Sequence, residues 1–554
     1  MTTPQIDSYL RSELAQAAAA ALDRSPDLVP DVPLETPRQK EHGDYASSLA
    51  LVLAKSEKRP PREVAAAIVG RLRLDPRRIA AVSIDGPGFL NFRVADTWVR
   101  GELERILAAA DRFGESQVGG GERVQVEYVS ANPTGPLNVV SARAAAVGDT
   151  LVRLLAASGH AAASEFYVND AGNQVRLFAA SLDARLREAA GEPAAIPEEG
   201  YHGEYVRTIA AAAAAGGALA GLAGEARLAR LGELGVAAIV CAQREHLERF
   251  GVRFDVWARE SALHAAGALD QALAALRAAG FIVERDGALW FTTTAFGDDA
   301  DRVVVRSEGT PTYFLADIAY HADKHARGFE RVIDIWGPDH HGHVPRMQAA
   351  AQALGFGRDW LEVLIVQQVN LLRGGQRVVM SKRAGEFVTL EELVQEVGPD
   401  PARFFFLMRR TNAHLDFDLD LATAQTEENP CFYVQYAHAR IAQILANARR
   451  QGVAERLPAE IQFERLVEPA ELELAKLLLT MPEVVSGAAL AREPHRMTTY
   501  LREVAALFHR FYHLERVVGV EEELMQARLG LVSATRIVLR RGLDLIGVSA
   551  PDRM

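Results

Sequence analysis

The feature that most constrains this chain is the segment 123–155, where a short strand pattern is followed by a loop and then by an alanine-rich helical pattern. β-Branched and aromatic residues alternate with polar ones at its start, which favours a strand. The later part places Val147, Leu151 and Leu154 on one face of a helix. The N-terminus of such a helix presents unpaired backbone N–H groups and partial positive charge, so the sequence predicts a phosphate site there.

The loop between these two elements carries the groups that could define a ligand. Pro133 and Gly135 fix a turn and remove side-chain bulk where backbone must approach a ligand. Glu127 and Asn132 bring a carboxylate and an amide close to the same place. One end of the predicted site therefore suits an anion and the other a cation, although an ordinary strand-to-helix turn has the same local pattern.

Length and composition bound the class of protein. With 554 residues the chain is too long for one core, and roughly three to four domains are expected. Its 49% apolar and 24% charged residues are typical of a soluble globular protein.

Cys241 and Cys431 have no neighbouring cysteine or histidine at ligand spacing, which favours a reducing compartment and no cysteine-based zinc site. No segment approaches the roughly 20 strongly apolar residues of a membrane span. The net charge of −12 argues against general nucleic-acid coating but leaves room for a local basic track.

The pattern along the chain predicts three domains, at 1–110, 111–424 and 425–554. The first combines helical periodicity with a Gly/Pro turn between short strands, which predicts a small α+β domain. The third has leucine and alanine faces at helical spacing almost throughout, which predicts an all-α domain. Within the second, residues at about 180–295 look inserted.

Short apolar runs predict the sheet of the second region. The runs at 303–307, 331–337 and 363–369 each lie near a helical pattern, which implies parallel strands in βαβ units. The predicted fold class is therefore α/β: a Rossmann-type parallel-sheet domain with inserts, between a small α+β N-terminal domain and an all-α C-terminal domain.

Two segments of this region carry polar groups that suit ligand binding. If the stretch after 312 is helical, Tyr313 and Asp317 share one face, as they also would on a solvated amphipathic helix. The run after the strand at 331–337 contains Asp339, His340, His341 and His343. These side chains are adjacent in sequence and do not share one helical face, so ligand binding at a strand end is favoured over metal binding.

A third segment combines a Gly/Arg-rich loop with Met380, Ser381 and Lys382. A helix follows, entered at Thr389 with Glu392 three residues later, which is a capping box. In isolation such a short loop is more often a solvated turn, so its function depends on the neighbouring motifs.

The start of the helical region carries aromatic and basic residues in register. Tyr433, Tyr436 and Arg440 line up at helical spacing. This pattern fits a helix that packs its aromatic residues on the preceding domain, and it equally fits stacking on unpaired bases.

These motifs resemble a known family. The run SANPTGPLNVVSAR resembles the nucleotide-binding signature of class I aminoacyl-tRNA synthetases, with flanks similar to the arginyl type. The usual form ends in His-x-Gly-His, whereas this chain has Asn138, Val139, Val140 and Ser141. The loop at 374–383 resembles the second signature, Lys-Met-Ser-Lys, with Val379 at the first lysine position and Lys382 retained.

The resemblance implies a role for each motif. Glu127 and Asn132 would hold the α-amino end of arginine, Tyr313 and Asp317 its guanidinium, and His341 would lie close to the amino acid. The residues implied in ATP binding are Ser130, Pro133, Gly135, Gly337, Asp339, His340, Met380 and Ser381. Those implied in catalysis are Lys382, Asn138 and Ser141, and those implied in tRNA binding are Tyr433, Tyr436 and Arg440.

The activity implied by the resemblance is ATP-dependent attachment of L-arginine to its cognate tRNA through arginyl-adenylate. Mg²⁺ would accompany ATP, no protein-bound zinc is expected, and the family resemblance implies a cytoplasmic monomer whose residues 1–110 dock on the tRNA. Two alternatives stay open. Asn138, Val140, Ser141 and Val379 motivate a paralogue that has lost adenylation, and a non-catalytic tRNA-binding protein is the alternative from a different class.

Overall fold

The computed structural model describes residues 6–37, 39–378, 388–454 and 456–554. Across these ranges, none of the helices combines the length and the apolar character that a membrane crossing requires. One apolar core runs through all three regions of the chain, from Ile6 to Val548.

The N-terminal region is a small α+β unit. Its elements are α1 Ile6–Leu22, β1 Tyr45–Ser47, α2 Leu49–Glu57, α3 Pro61–Val69, β2 Ile79–Asp85, β3 Phe89–Val94 and α4 Asp96–Ala109. The strands form an antiparallel sheet in the order β1-β3-β2. The predicted Gly/Pro turn joins β2 to β3, and Gly88 there has a φ of +145° and no room for a Cβ beside the Pro61 carbonyl.

The central region is built on a five-stranded parallel sheet in the order β11-β10-β4-β5-β6. Its first part comprises β4 Arg123–Glu127, α5 Val139–Ala157, β5 Ala161–Val168, α6 Asn173–Ala189, α7 Glu204–Ala215, α8 Gly224–Arg249, β6 Val256–Arg259, α9 Glu260–Ala265 and α10 Ala268–Ala278. Its second part comprises β7 Ile282–Arg285, β8 Ala288–Phe291, β9 Arg302–Val305, α11 Tyr313–Ala326, β10 Arg331–Trp336, α12 Val344–Ala353 and β11 Leu361–Ile365. The region closes with β12 Val369–Arg373, β13 Gln376–Arg377, α13 Leu390–Val397, α14 Pro399–Phe406, β14 Leu415–Asp418 and α15 Leu419–Thr423.

The predicted strand–loop–helix unit occupies the centre of this sheet. Val147, Leu151 and Leu154 are buried as the helical pattern predicts. A glycine allows α5 to pack close to the sheet, since a Cβ on Gly148 would lie 2.2 Å from the ring of Tyr128. The position of α5 relative to β4 is therefore set by a close approach that only glycine permits.

The prediction of parallel strands was right for two of the three apolar runs. The runs at 331–337 and 363–369 contribute β10 and β11, which pair in parallel. The run at 303–307 contributes β9, which pairs antiparallel with β8 in a separate three-stranded sheet, β7-β8-β9. Only Val304 of that strand is fully buried, and the strand continues a hairpin meander, so an apolar run alone did not reveal its direction. The domain limits themselves stay predictions. The segment 180–295 is not wholly separate from the parallel sheet, since it contains β6, which pairs in parallel with β5.

The C-terminal region is helical. It consists of α16 Pro430–Arg450, α17 Pro469–Leu479, α18 Met481–Leu490, α19 His495–Leu514 and α20 Glu522–Leu545. Helices α17 and α20 pack on α4, and α18 packs on α5. The fully buried Arg403 of α14 donates to the carbonyls of Ile546 at 3.0 Å and Phe250 at 3.2 Å, and it pairs with Asp149 of α5. The end of the last helix is thereby tied to the helix at the centre of the sheet.

Candidate active site

Three carboxylates stand side by side at the carboxyl ends of the central strands. Glu127 of β4 is in register with Asp334 of β10 on one side and with Glu165 of β5 on the other. All three are buried. Buried carboxylates at this edge of a parallel sheet are costly unless they are paired, and ligands bind at the same edge in α/β folds. This acidic row is the floor of the candidate site.

Helix α11 supplies the cations for the row. The Lys324 ammonium donates to Glu127 Oε2 at 2.5 Å and to Asp334 Oδ1 at 2.8 Å, and His321 Nε2 lies 2.8 Å from Asp334 Oδ2. Arg327 donates to both oxygens of Glu165, at 2.6 and 2.9 Å. The row is thus paired with side chains of α11 and of Arg327, the residue that follows the helix.

These ion pairs lower the pKa of the Asp334 carboxyl and raise the pKa of the Lys324 ammonium. Burial opposes the ionisation of Asp334, but Lys324 and His321 outweigh it and hold the pKa of Asp334 at about 2. Burial also disfavours the charge on Lys324, yet Asp334 and Glu127 raise its pKa above the ordinary value. Burial raises the pKa of Glu127, and Lys324 offsets this only in part. Of the two carboxylates bonded to Lys324, Glu127 is therefore more easily protonated than Asp334.

A strained turn directly after β4 orients the Glu127 side chain. Val129 and Ser130 have φ angles of +69° and +37°, which is rare for residues other than glycine and costly for a β-branched one. The turn brings the Ser130 hydroxyl to Glu127 Oε1, to which it donates at 2.7 Å. The same hydroxyl accepts the backbone N–H of Tyr167 at 3.1 Å. Both oxygens of Glu127 are thus held, one by Ser130 and one by Lys324.

Helices from the segment 180–295 support the loop that follows. The Gln243 amide of α8 donates to the carbonyls of Asn132 at 3.2 Å and Gly135 at 3.0 Å. The Tyr205 hydroxyl of α7 donates to the Thr134 carbonyl at 2.8 Å. The Asn132 side chain is exposed, whereas Pro133 is buried. The loop is therefore held through its backbone, which leaves the Asn132 side chain at the surface.

The start of α5 differs from the prediction. Asn138 is the N-cap residue, and its side-chain oxygen accepts the N–H groups of Val140 at 3.0 Å and Ser141 at 2.9 Å. The prediction that these N–H groups are unpaired was therefore wrong, because an asparagine in this position satisfies them within the chain. Whether Asn138 and Ser141 act on a phosphate stays a prediction.

The loop before α5 also contacts the start of α13. The Leu390 N–H donates to the Leu137 carbonyl at 2.8 Å, and Asn138 forms an isolated antiparallel bridge with Thr389. Thr389 and Glu392 form the predicted capping box. The start of α13 is therefore anchored beside the loop before α5. The predicted residues Met380, Ser381 and Lys382 lie outside the described residues.

A buried arginine fixes α5 on its other side. Arg143 is fully buried and donates to the carbonyls of Gln367 at 2.9 Å, Ala413 at 2.9 Å and Arg410 at 2.8 Å. Burial lowers its pKa to about 10. Arg143 ties α5 to the loop before β12 and to the loop before β14, so the helix and these loops are positioned together.

The exposed end of α11 carries the predicted guanidinium site. Tyr313 is exposed, and its hydroxyl lies close to Gly172, where an added Cβ would be 3.3 Å away. The Asp317 carboxylate pairs with His343 Nε2 at 2.9 Å. His343 closes the 3₁₀ helix Pro338–His343, which also carries the exposed side chains of Asp339, His340 and His341. The histidine that contacts Asp317 is therefore His343, to which the sequence reasoning gave no role, while the proximity of His341 to the amino acid stays a prediction.

Several residues of the site escaped the sequence reasoning. Asp334 interrupts an apolar strand, and Lys324 lies on the buried face of an amphipathic helix. A charged residue at a position that the pattern marks as buried is itself a signal, since such residues are almost always paired. Glu165, Gln243 and Tyr205 gave no comparable signal because their partners are distant in sequence.

No metal centre stands out in the described ranges: they contain no group of three or more His, Cys, Asp or Glu side chains placed to hold an ion. The site therefore offers carboxylates, a serine hydroxyl and backbone groups at a sheet edge, which suit a cationic ligand beside a nucleotide.

Three protein-family models match the chain in succession. The "Arginyl tRNA synthetase N terminal domain" matches residues 7–94, the "tRNA synthetases class I (R), catalytic domain" residues 102–404, and the "DALR anticodon binding domain" residues 434–554. The arginine–tRNA ligase of Moorella thermoacetica is 50% identical over 545 residues, which are 98% of this chain and 97% of the relative. That of Desulforamulus reducens is 48% identical and covers 99% of both chains.

A solved structure agrees with the architecture. The arginyl-tRNA synthetase of Thermus thermophilus superposes with a TM-score of 0.79, covering 98% of this chain and 100% of that one, at 24% identity. This likeness concerns the fold, and with the catalytic-domain match it confirms the predicted fold class. The parallel-sheet domain is the catalytic domain of a class I aminoacyl-tRNA synthetase. The chain belongs to the arginyl-tRNA synthetase family.

Proposed function

We propose that this protein attaches L-arginine to its cognate tRNA in an ATP-dependent reaction. The observation that carries the proposal is the pair of carboxylates at the site, Glu127 beneath the strained turn and Asp317 at the exposed end of α11. Arginine carries a positive charge at each end, and two separated carboxylates suit such a substrate. The family membership supports the same conclusion.

In the proposed first step, the arginine carboxylate attacks the α-phosphorus of ATP and pyrophosphate leaves, which gives arginyl-adenylate. The terminal 2′-hydroxyl of the tRNA then takes the arginyl group and releases AMP. No side-chain base is needed for the first attack, since the nucleophile is already a carboxylate. Catalysis rests on positioning and on stabilising charge at the phosphates, with Mg²⁺ accompanying ATP. Lys382, Asn138 and Ser141 are the residues proposed to act on the phosphates.

Arginine would bind between the two carboxylates. A guanidinium presents a rigid fork of donors that a carboxylate accepts through both oxygens, which lysine cannot reproduce. Asp317 is proposed to accept this fork beside Tyr313, while Glu127 and Asn132 receive the α-amino end and His341 lies near the amino acid. ATP would lie along the loop before α5 and the 3₁₀ helix, against Ser130, Pro133, Gly135, Gly337, Asp339 and His340, with Met380 and Ser381.

The tRNA would contact the helical region at a groove beside α16. The cavity there has a volume of about 670 Å³ and is lined by residues of α16 and by 512–518. The guanidinium of Arg440 lies over the rings of Tyr436 at 5.0 Å and Tyr512 at 5.5 Å, and Tyr433 packs against His509. Aromatic rings that alternate with arginine are typical of surfaces on which unpaired bases stack.

Replacing Arg440 with alanine should weaken tRNA binding by about tenfold, because it removes one cation and the support of two stacking rings. The affinity for tRNA is measured by fluorescence anisotropy at fixed salt. Arg358→Ala, which removes an exposed arginine outside this groove, is the matched control and should change the affinity less than about twofold. If the two substitutions weakened tRNA binding equally, the affinity would depend on the net charge of the protein and not on this groove.

The test of the proposed function is arginine-dependent exchange of label between pyrophosphate and ATP, with and without tRNA. Exchange together with arginylation of tRNA supports the synthetase. Absence of exchange under both conditions, with tRNA binding retained, would instead favour the alternative of a tRNA-binding paralogue without adenylation, which the residues at 138–141 motivate. We also infer that the protein acts as a cytoplasmic monomer, which sedimentation at working concentration tests for the oligomeric state.

A further inference from the structure

The three carboxylates of the acidic row are not neutralised equally. Arg327 bonds both oxygens of Glu165, which also accepts the Tyr320 hydroxyl at 2.6 Å. Asp334 is bonded on one oxygen by His321 and on the other by Lys324. Glu127 shares Lys324 with Asp334, and in the described part of the chain Lys324 is its one ion-pair partner. Glu127 is therefore the carboxylate with the least compensation.

We propose that Lys324 is a positioning residue for arginine, which keeps the Glu127 carboxylate ionised and oriented so that it receives the α-ammonium of the substrate. The inference rests on the proposed function and adds to it a residue that does not itself touch the substrate. Lys324 acts through Glu127 and not on the substrate itself, because its side chain is fully buried and both of its bonds go to carboxylates.

The groups around Glu127 make its ionised state depend on this lysine. Ser130 donates from the same strand end, and Asp334 and Glu165 are negative neighbours on the adjacent strands. From α11, Tyr320 and His321 face the row, and the Tyr167 ring packs against the Tyr320 ring at a tilt of 32°. The His321 imidazole bonds Asp334, and Arg327 bonds Glu165, so neither is available to Glu127. Without Lys324, burial and the negative neighbours would leave Glu127 protonated, and a neutral carboxyl attracts an ammonium far less.

A purely structural role explains the arrangement poorly. A buried lysine between two carboxylates carries a large desolvation cost, and apolar residues of similar volume are often as stabilising. The neighbouring pair of Arg327 and Glu165 already joins α11 to the sheet. The strained turn at Ser130 supplies a second restraint on the same carboxylate. Glu127 is thus restrained twice, by the bond from Lys324 and by the bond from Ser130. Two such restraints are expected where the charge and the orientation of a carboxylate matter for ligand binding.

The test compares two ligands, L-arginine and δ-guanidinovalerate, which is arginine without its α-amino group. Dissociation constants are measured by calorimetry for the unmodified protein and for Lys324→Met. Because the lost interaction concerns the α-ammonium, Lys324→Met should weaken arginine binding by about 10- to 100-fold and the analogue by less than about threefold. The preference of the protein for arginine over the analogue should therefore fall.

Two further variants separate positioning from folding. Lys324→Met/Asp334→Asn removes the buried cation together with one buried anion, so it retains the fold if the single variant does not, and it should show the same selective loss. Arg327→Gln breaks the half-buried pair with Glu165 at the end of α11 without touching Glu127, and it should affect both ligands equally. Equal weakening of both ligands by the Lys324 variants, or unchanged affinities, would overturn the inference alone. Absence of arginine binding by the unmodified protein would overturn the proposed function as well.

Discussion

Replacing Asp317 with asparagine should lower kcat/KM for arginine by about 10³-fold or more, while tRNA affinity stays within a factor of about two. Asparagine keeps the size of the side chain and can still contact His343, but it loses the negative charge and one of the two acceptors that a guanidinium fork requires. The measurement is steady-state arginylation of tRNA, together with tRNA binding by anisotropy.

The matched control for this prediction is Asp323→Asn. Asp323 lies on the same helix and pairs with Arg327 at 2.8 Å at its solvent side, so its removal tests the loss of one carboxylate from α11. This variant should retain arginylation within about twofold. Retention of more than a tenth of the activity by Asp317→Asn would show that the guanidinium is recognised elsewhere, and a parallel loss of tRNA binding would indicate a folding defect.

Restoring the family signature through Asn138→His, Val140→Gly and Ser141→His should speed adenylate formation by about 10²-fold. The reason is that histidine donates charge-assisted hydrogen bonds to phosphate oxygens, which are roughly twice as strong as those of an amide or a hydroxyl. The glycine also removes a side chain where adenine would approach the backbone. The measurement is the rate of pyrophosphate exchange at saturating arginine.

The same triple variant should unfold more easily, since loss of the Asn138 cap costs about 1 kcal/mol. Asn138→Ala alone separates the two effects: it should lower the free energy of unfolding by a similar amount without raising the exchange rate. A triple variant that is no faster than the parent would show that the present residues already provide what the first step needs, through backbone donors and Lys382.

Much of the fold could be predicted because its signals are local. The helix that begins after Asn138 and the capping box at Thr389 follow from short patterns, and the structure contains both. The cap itself could have been predicted too, since asparagine directly before a helical run is a start signal. The strand at 303–307 was assigned to the wrong sheet because strand direction depends on the connections and not on the apolar run.

The candidate site was less accessible from sequence because it depends on register. Glu127, Glu165 and Asp334 become neighbours only when three strands align at one residue, and a shift of one position would turn a side chain to the other face. The contact of His343 with Asp317 was not predicted for a similar reason. The path of the 3₁₀ helix decides which of several adjacent histidines reaches Asp317.

The bonds of Arg403 have a consequence for how this protein can be dissected. The guanidinium is buried between the end of the C-terminal helix and Asp149, so a cut near residue 425, where the pattern suggests a boundary, would leave it without its Ile546 acceptor. A buried charge that loses a partner destabilises what remains. The three regions, which the sequence pattern predicts as separate domains, should therefore unfold together in a single calorimetric transition. A chain cut at this boundary should lose arginine activation as well as its tRNA contacts.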